Sequence, residues 1–379
     1  MAALVASACQ EGGGDGGEGG DGEGSIWVLL PDTATSDRWA KDDPRFFAAA
    51  FEEAGLTEGE DFNIVNAEGD VPTQQSQAEQ AIADGASVIV LTSLDPGSGA
   101  TMIESAQDAG VQVVEYDRFN AEGPGGSAYV SFNNVEVGRK MAEAMEPAID
   151  ALDVDTPQVV MLNGGEEDNN SFQFREGYAE TVEARVDAGD WALVEDVHVP
   201  GWDNAEGQAI MEQILVDADN NVDAVFAAND GLATSSINAL EAAGVEPVPV
   251  SGQDATAEGM QQILLGNQTV SVYKPIQDEA GVAAAVALAL RAGEDFEAAA
   301  TGYQSPLASG GSSISIVGID PATGEATESA EVGVPYVALE PIGVTAENMA
   351  DTVIADEFRT IEEICVGDVA ETDFCAENA

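Results

Sequence analysis

Residues 73–118 read TQQSQAEQAIADGASVIVLTSLDPGSGATMIESAQDAGVQVVEYDR, and this stretch decides the fold class. It predicts a helix over 73–84 stopped by Gly85, a strand over 88–91, a helix over 99–109 stopped by Gly110, and a strand over 111–115. Glycine follows each helix because a residue without a Cβ takes the left-handed conformation of a helix C-terminus without steric penalty. Short apolar runs alternating with helices imply a parallel sheet covered on both faces. Towards the N-terminus the unit recurs, with a buried strand over 26–30, a helix over 43–54 ending at Gly55, and a strand over 63–65. Past residue 150 the pattern restarts. Strands are predicted over 158–162, 192–197, 224–227 and 248–252, and helices over 172–187 (Ser171 as cap), 205–218, 232–243 and 256–265. The fold class is therefore α/β, with two successive doubly wound parallel-sheet lobes. Ligands of open α/β sheets sit beyond the carboxyl ends of the strands, so two such sheets facing each other make a cleft between lobes.

The 379 residues carry 71 Asp+Glu against 11 Lys+Arg, a formal net charge of −60. Clustered cations, which displace counterions from nucleic acid or hold anionic lipid, are missing from such a chain. No nucleic-acid partner is expected. A hydrophobic content of 44% still allows a core, which a disordered acidic chain would lack. An acid-coated fold repels itself at low ionic strength and gains from added salt. A halophilic-like, salt-rich source is one explanation of that composition.

At the N-terminus, Leu4-Val5-Ala6-Ser7-Ala8-Cys9 reads as the end of a lipoprotein signal. Small residues let a peptidase grip the backbone, and Cys9 is the lipidation site. The eight residues before it form a truncated signal. Residues 11–24 are nine Gly and five Asp/Glu, a composition that buries nothing and serves as a tether over 10–24. Near the other end, Cys365 and Cys375 are expected to form a disulfide that pins the tail if the protein is exported.

Polar residues gather just past the strand ends: Tyr116-Asp117-Arg118, Asp168-Asn169-Asn170, Asn229-Asp230, Gln253-Asp254, Lys274, and Trp202 in the loop Pro200-Gly201-Trp202-Asp203-Asn204. Arg118, Arg175 and Lys274 are three of only 11 cations. One such residue alone reads as a cap or turn; recurrence across five or six strand ends reads as a site.

In this order and spacing the chain resembles the type I periplasmic sugar-binding proteins of ABC importers, its D-xylose-binding members in particular. The strings that carry the likeness are Asp37-Arg38-Trp39-Ala40-Lys41-Asp42, Tyr116-Asp117-Arg118, Val130-Ser131-Phe132-Asn133-Asn134, Asp168-Asn169-Asn170 with Phe174-Arg175, Ala228-Asn229-Asp230, Ser251-Gly252-Gln253-Asp254 and Thr269-Val270-Ser271-Val272-Tyr273-Lys274-Pro275-Ile276. The resemblance implies a three-crossing hinge. One lobe would hold 25–132 and about 276–304, the other 133–275 and about 333–360, with 305–332 inserted and 361–379 a tail. It also implies that Arg38, Arg118, Asp168, Asn170, Arg175, Asn229, Asp254 and Lys274 line a monosaccharide site. Trp202 would stack on a sugar face, Trp39 would be a second aromatic or a core residue, and Asp117 would orient Arg118.

The expected partners are a monosaccharide such as D-xylose or a related aldose, and an ABC permease. The membrane would be reached through the lipid alone, at the outer face or in the periplasm, by a monomer without cofactor or metal. Three rivals stand beside this. A carbohydrate-active enzyme would need a catalytic pair, and the sole histidine, His198, lies inside a predicted strand. A repressor would need a DNA-binding N-terminus where the Gly/acid tether lies. A sensory receptor module would share the whole pattern.

Overall fold

The computed structural model describes residues 24–378 other than 34, 35, 37, 122 and 328. Cys9 and all but the last residue of the expected tether therefore lie outside the described residues, as does Asp37.

The first part of the chain forms β1 (Ser25–Leu30), α1 (Arg38–Lys41), α2 (Asp43–Glu53), β2 (Phe62–Asn66), α3 (Val71–Ala83), β3 (Ala86–Leu91), α4 (Pro96–Asp108), β4 (Gln112–Tyr116) and β5 (Ala128–Phe132). A second run follows: α5 (Asn134–Asp150), β6 (Gln158–Asn163), α6 (Asn169–Ala188), β7 (Ala192–His198), α7 (Asn204–Asp217), β8 (Ala224–Ala227), α8 (Asp230–Ala243), α9 (Ala257–Leu264) and β9 (Ser271–Tyr273). The chain then forms α10 (Ile276–Ala292), α11 (Phe296–Gly302), β10 (Ile314–Ile319), β11 (Ala326–Thr327), β12 (Val334–Leu339), β13 (Ile342–Val344), α12 (Ile361–Ile364) and α13 (Asp373–Asn378).

Eight strands make the large sheet, in the order β11-β10-β12-β5-β4-β3-β1-β2. Neighbours from β12 to β2 run parallel, as the alternation of strands and helices requires. Asp70 and Asp95 cap α3 and α4 through their side chains, and a proline follows each cap where its missing N–H costs nothing. The second sheet is β7-β6-β8, also parallel. The chain passes between the sheets at Asn133, around Lys274, and after Leu339. The expected α/β class of two doubly wound lobes is what the structure has.

Helices α5 and α6 cross glycine on glycine. A Cβ on Gly138 would lie 2.1 Å from the Phe174 carbonyl oxygen, and one on Gly177 2.0 Å from that of Val135. This close crossing fixes where the N-terminus of α6 points, and that end faces the cleft.

Four expectations need correction. The strand expected over 248–252 pairs only at Val250, with Val225, because Pro247 and Pro249 have no N–H to give to a ladder. The cap of α6 is Asp168, which accepts from the Asn170 N–H, and not Ser171. Residues 334–339 belong to the large sheet rather than the second lobe: β12 pairs in parallel with β5, and the Tyr129 and Tyr336 rings meet at 4.6 Å. The stretch expected as an insertion over 305–332 continues the same sheet, with β10 antiparallel to β12 and β11 antiparallel to β10.

Candidate functional site

Where the two sheets face each other, one cavity of about 330 Å³, counted to its mouth, is lined by side chains from seven places in the chain. Helix α1 brings Arg38 and Trp39. The turn after β4 brings Asp117 and Arg118. The start of α6 brings Asp168, Asn170 and Phe174. Trp202 follows β7, Asn229 follows β8, and Lys274 follows β9, with Ser36, Gln253 and Asp254 completing the wall. Ten of the eleven ligand-binding residues named from the sequence meet here. Asp117, Trp202 and Asp254 hold positive φ of 61°, 54° and 97°. Each such non-glycine residue costs about 1–3 kcal/mol, and strain of this kind concentrates at binding sites.

Arg38 is buried and almost saturated. Its Nε donates to Asp43 Oδ2 at 2.9 Å, and Nη2 donates to Asp43 Oδ1 at 2.7 Å, to Glu279 Oε2 at 2.6 Å and to the Tyr116 hydroxyl at 3.1 Å. Nη1 donates to Asp117 Oδ2 at 2.7 Å. Of five N–H groups, one on Nη1 is left to point at a ligand. The guanidinium carbon lies 4.2 Å from the Trp39 ring centre, so the network also fixes that ring's neighbour.

Asp117 is the hub. Lys274 Nζ reaches its Oδ2 at 3.2 Å, and its carbonyl accepts from the hydroxyls of Tyr129 and Ser131 and from Asn170 Nδ2. Those three bonds hold the left-handed turn. Burial alone would raise the Asp117 carboxyl, but Lys274, Arg38 and Arg118, in that order, hold it well below the usual carboxylate range. It stays ionised at any working pH.

Hydrogen-bond valence separates ligand-facing groups from supporting ones. Asn170 lines the cavity, yet its amide N–H groups go to the carbonyl and Oδ1 of Asp117, and its oxygen accepts from Asn134 Nδ2 at 2.9 Å. It braces Asp117. Asn229 caps α8 with its oxygen, accepting from the Leu232 N–H at 2.9 Å, which leaves its NH₂ for the cavity. Asp168 caps α6 through Oδ1, while Oδ2 faces Arg118 Nε at 3.4 Å across the lobes. Trp202 packs against Gly164, where any Cβ would stand 2.1 Å from two ring carbons, so only glycine leaves room for the indole. Gly164 thus makes space for an aromatic ring.

Arg175 is the exception. It lies outside the cavity lining, with Nε 3.0 Å from Asp196 Oδ2 and Nη2 3.6 Å from Glu183. Helical geometry is the reason. On α6 the residue that shares a face with Asn170 is four places on, Phe174, and the next residue is turned about 100° away. Phe174, Ser36 and Gln253 line the cavity without having been named as ligand-binding from the sequence; the 170–174 spacing was the available signal for the first. His198 likewise faces the peptide oxygen of Gly164 and stacks near Phe172.

A family model described as a periplasmic binding protein domain matches residues 28–295. The D-xylose-binding periplasmic protein of Escherichia coli is 32% identical over 331 residues, covering 86% of this chain and 89% of its own. Its Haemophilus influenzae counterpart is 33% identical over 342 residues, covering 89% and 91%. Among solved structures, an ABC transporter solute-binding protein from Clostridium phytofermentans with bound β-D-glucose superposes with a TM-score of 0.75 at 25% identity, covering 89% of this chain and 99% of its own. The matched span runs from within β1, takes in the whole second sheet and contains all thirteen residues of the cavity wall, and on this ground the chain belongs to the periplasmic binding protein family, with the two-lobed type I fold.

Proposed function

We propose that this protein is the extracytoplasmic binding component of an ABC importer and that it captures a monosaccharide, D-xylose or a related aldose, between its lobes. The observation that carries the reading is the composition of the cavity wall. A pyranose presents hydroxyls around its rim and C–H groups on its faces. The wall offers planar charged and amide groups from both lobes, with Trp39 on one side and Phe174 and Trp202 on the other.

Binding works by closure. The Arg118–Asp168 and Ser36–Asp254 contacts join groups from opposite lobes, and a sugar bridging the same groups favours the closed form over the open one. A sugar with a misplaced hydroxyl leaves a buried charged group unpaired, at a cost of about 1–3 kcal/mol each. The ligand leaves as it came, and the closed form docks on a permease. A lipid on Cys9 would hold the monomer at the outer face of the membrane. A sensory role is the second reading, favoured by a relative in Rhizobium radiobacter that is named a multiple sugar-binding periplasmic receptor.

Calorimetric titration against a panel of aldopentoses and aldohexoses, in high and in low salt, tests the proposal. Binding of at least one aldose supports it, and silence across the whole panel removes it.

A further inference from the structure

Behind the cavity wall, α10 presents Glu279, a carboxylic acid with no exposed surface. It takes no direct place in the wall. Its Oε2 accepts the Arg38 Nη2 hydrogen at 2.6 Å. Its Oε1 is buried and has no hydrogen-bond partner.

The neighbouring carboxylates differ from it. Asp43 accepts three bonds, two from Arg38 and one from the Tyr116 hydroxyl at 2.6 Å. Asp117 accepts from Arg38, Lys274 and Asn170. Asp168 accepts from the Asn170 N–H and faces Arg118. Asp43 and Asp117 use both oxygens as acceptors and have no room for a proton, while Asp168 accepts through Oδ1 and sets Oδ2 against the Arg118 guanidinium. The acids need no help from Glu279, since Arg38, Arg118 and Lys274 already stand against Asp43, Asp117, Asp168 and the Asp254 of the wall. An ionised Glu279 would be a further negative charge with one oxygen bare in the interior, far costlier than a neutral acid with one unpaired group.

We propose that Glu279 is a positioning residue of this site and carries a proton at neutral pH, so that it fixes the plane of Arg38 through Oε2 without adding negative charge beside Asp117. The inference rests on the reading of the cleft as a sugar site. The groups facing it are Arg38 from α1, Asp43 from α2, Tyr116 and Asp117 at the end of β4, Lys274 after β9 and Tyr336 from β12. In keeping with the geometry, burial pushes the carboxyl up to about 8 against the pull of Arg38, with Asp117 adding to the rise.

A sugar that displaces water from the cleft lowers the polarity around this buried carboxyl and favours the protonated form further. The bound state then holds its proton to higher pH than the free state, and affinity falls as pH rises past 8. One unit of difference between bound and free corresponds to about tenfold in affinity.

The test is calorimetric titration with D-xylose, or whichever aldose of the panel binds, between about pH 6 and pH 10. The wild type, Glu279→Gln and Glu279→Leu are compared. The amide of Glu279→Gln reproduces the neutral acid. It is expected to bind with a pH-independent affinity over the range in which the wild type loses about tenfold. Glu279→Leu removes the closest of the three acceptors of Arg38 Nη2 and is expected to bind about thirtyfold or more weakly at every pH, with binding largely rescued in the Gln variant. Identical pH profiles for wild type and Glu279→Gln overturn the proton, and undiminished binding by Glu279→Leu overturns the positioning role. If no aldose binds, the sugar reading fails by itself. The proton is then read on the free protein by infrared difference spectroscopy of wild type against Glu279→Gln at neutral pH. Absence of a protonated-carboxyl stretch there overturns the proposal, and its presence sustains the proton.

Discussion

The separation of ligand-facing from supporting side chains makes the sharpest predictions at single residues. Trp202→Ala and Asp254→Ala each remove a group with nothing behind it to replace it. Both are expected to weaken sugar binding by about 2–4 kcal/mol, thirtyfold or more, with the circular-dichroism spectrum retained. Gly164→Ala needs no loss of any polar contact, yet its Cβ falls inside the Trp202 ring. It should shift tryptophan fluorescence and weaken binding by about tenfold or more, since a close overlap of this kind costs about 1–3 kcal/mol. Arg175→Ala is expected to leave affinity within about threefold, because the pair it breaks, with Asp196, is partly exposed and of small worth. Arg118→Ala, which leaves Asp168 buried beside Asp117, should lose about a hundredfold or more. Calorimetry distinguishes all five. These cases also mark what a sequence discloses about a site. The residue types and their places after strand ends were legible, and ten of the named residues face one cavity. The direction of a side chain on its helix was not, so Arg175 was taken and Phe174 passed over. Nor was valence: Asn170 lies in the wall with its amide already spent on Asp117 and Asn134. Glu279, which sits on a helix with no motif of its own, left no sign at all.

At the scale of elements, the chain between α11 and β12 ties one lobe to the other. The turn that follows β10 offers the Gly324 carbonyl to Asn169 Nδ2 at 3.2 Å and to Gln173 Nε2 at 2.9 Å, both on α6. A second tie runs from Ser309 to Asp356 through its N–H and its hydroxyl, at 2.7 and 2.6 Å. Each such bond contributes about 0.5–1.5 kcal/mol. Replacing Asn169 and Gln173 together by Ala is expected to speed ligand dissociation by about tenfold, as stopped-flow fluorescence would measure. At the other end, Cys365 and Cys375 are bonded across a separation of 10 residues with Cα atoms 5.7 Å apart. Ile364, Val369 and Cys375 pack with Met260, Ile263 and Phe358. Closing so short a loop stabilises by about 2–3 kcal/mol, and Cys365→Ser with Cys375→Ser should lose that much in denaturant titration. The alternating βα units could be read from glycine stops and apolar runs because those signals are local. The place of β12 could not, because its partner β5 is about two hundred residues away and nothing in Val334-Pro335-Tyr336 says which sheet receives it. The same holds for β10, whose Gly/Ser-rich surroundings resemble a loop.

For the whole molecule, the charge of −60 sets the terms of stability. Self-repulsion over an acidic exterior weakens the fold at low ionic strength, and screening relieves it within a Debye length of about 3 Å at 1 M salt. The melting temperature is expected to rise with salt, and a flat response in scanning calorimetry would remove this account. Within that exterior, cations are few and their places are unequal. The chain contains three lysines, Lys41, Lys140 and Lys274. The side chain of Lys274 is only 4% exposed in the closed cleft, while that of Lys140 on α5 is 33% exposed. An amine-acylating reagent therefore meets a protein with almost nothing to label, and under the proposed hinge closure one of its few targets is shut away only while the lobes stay together. The yield of acylated Lys274 relative to Lys140 in a peptide digest becomes a clock for lobe opening with its own internal standard, readable by mass spectrometry without any engineered probe.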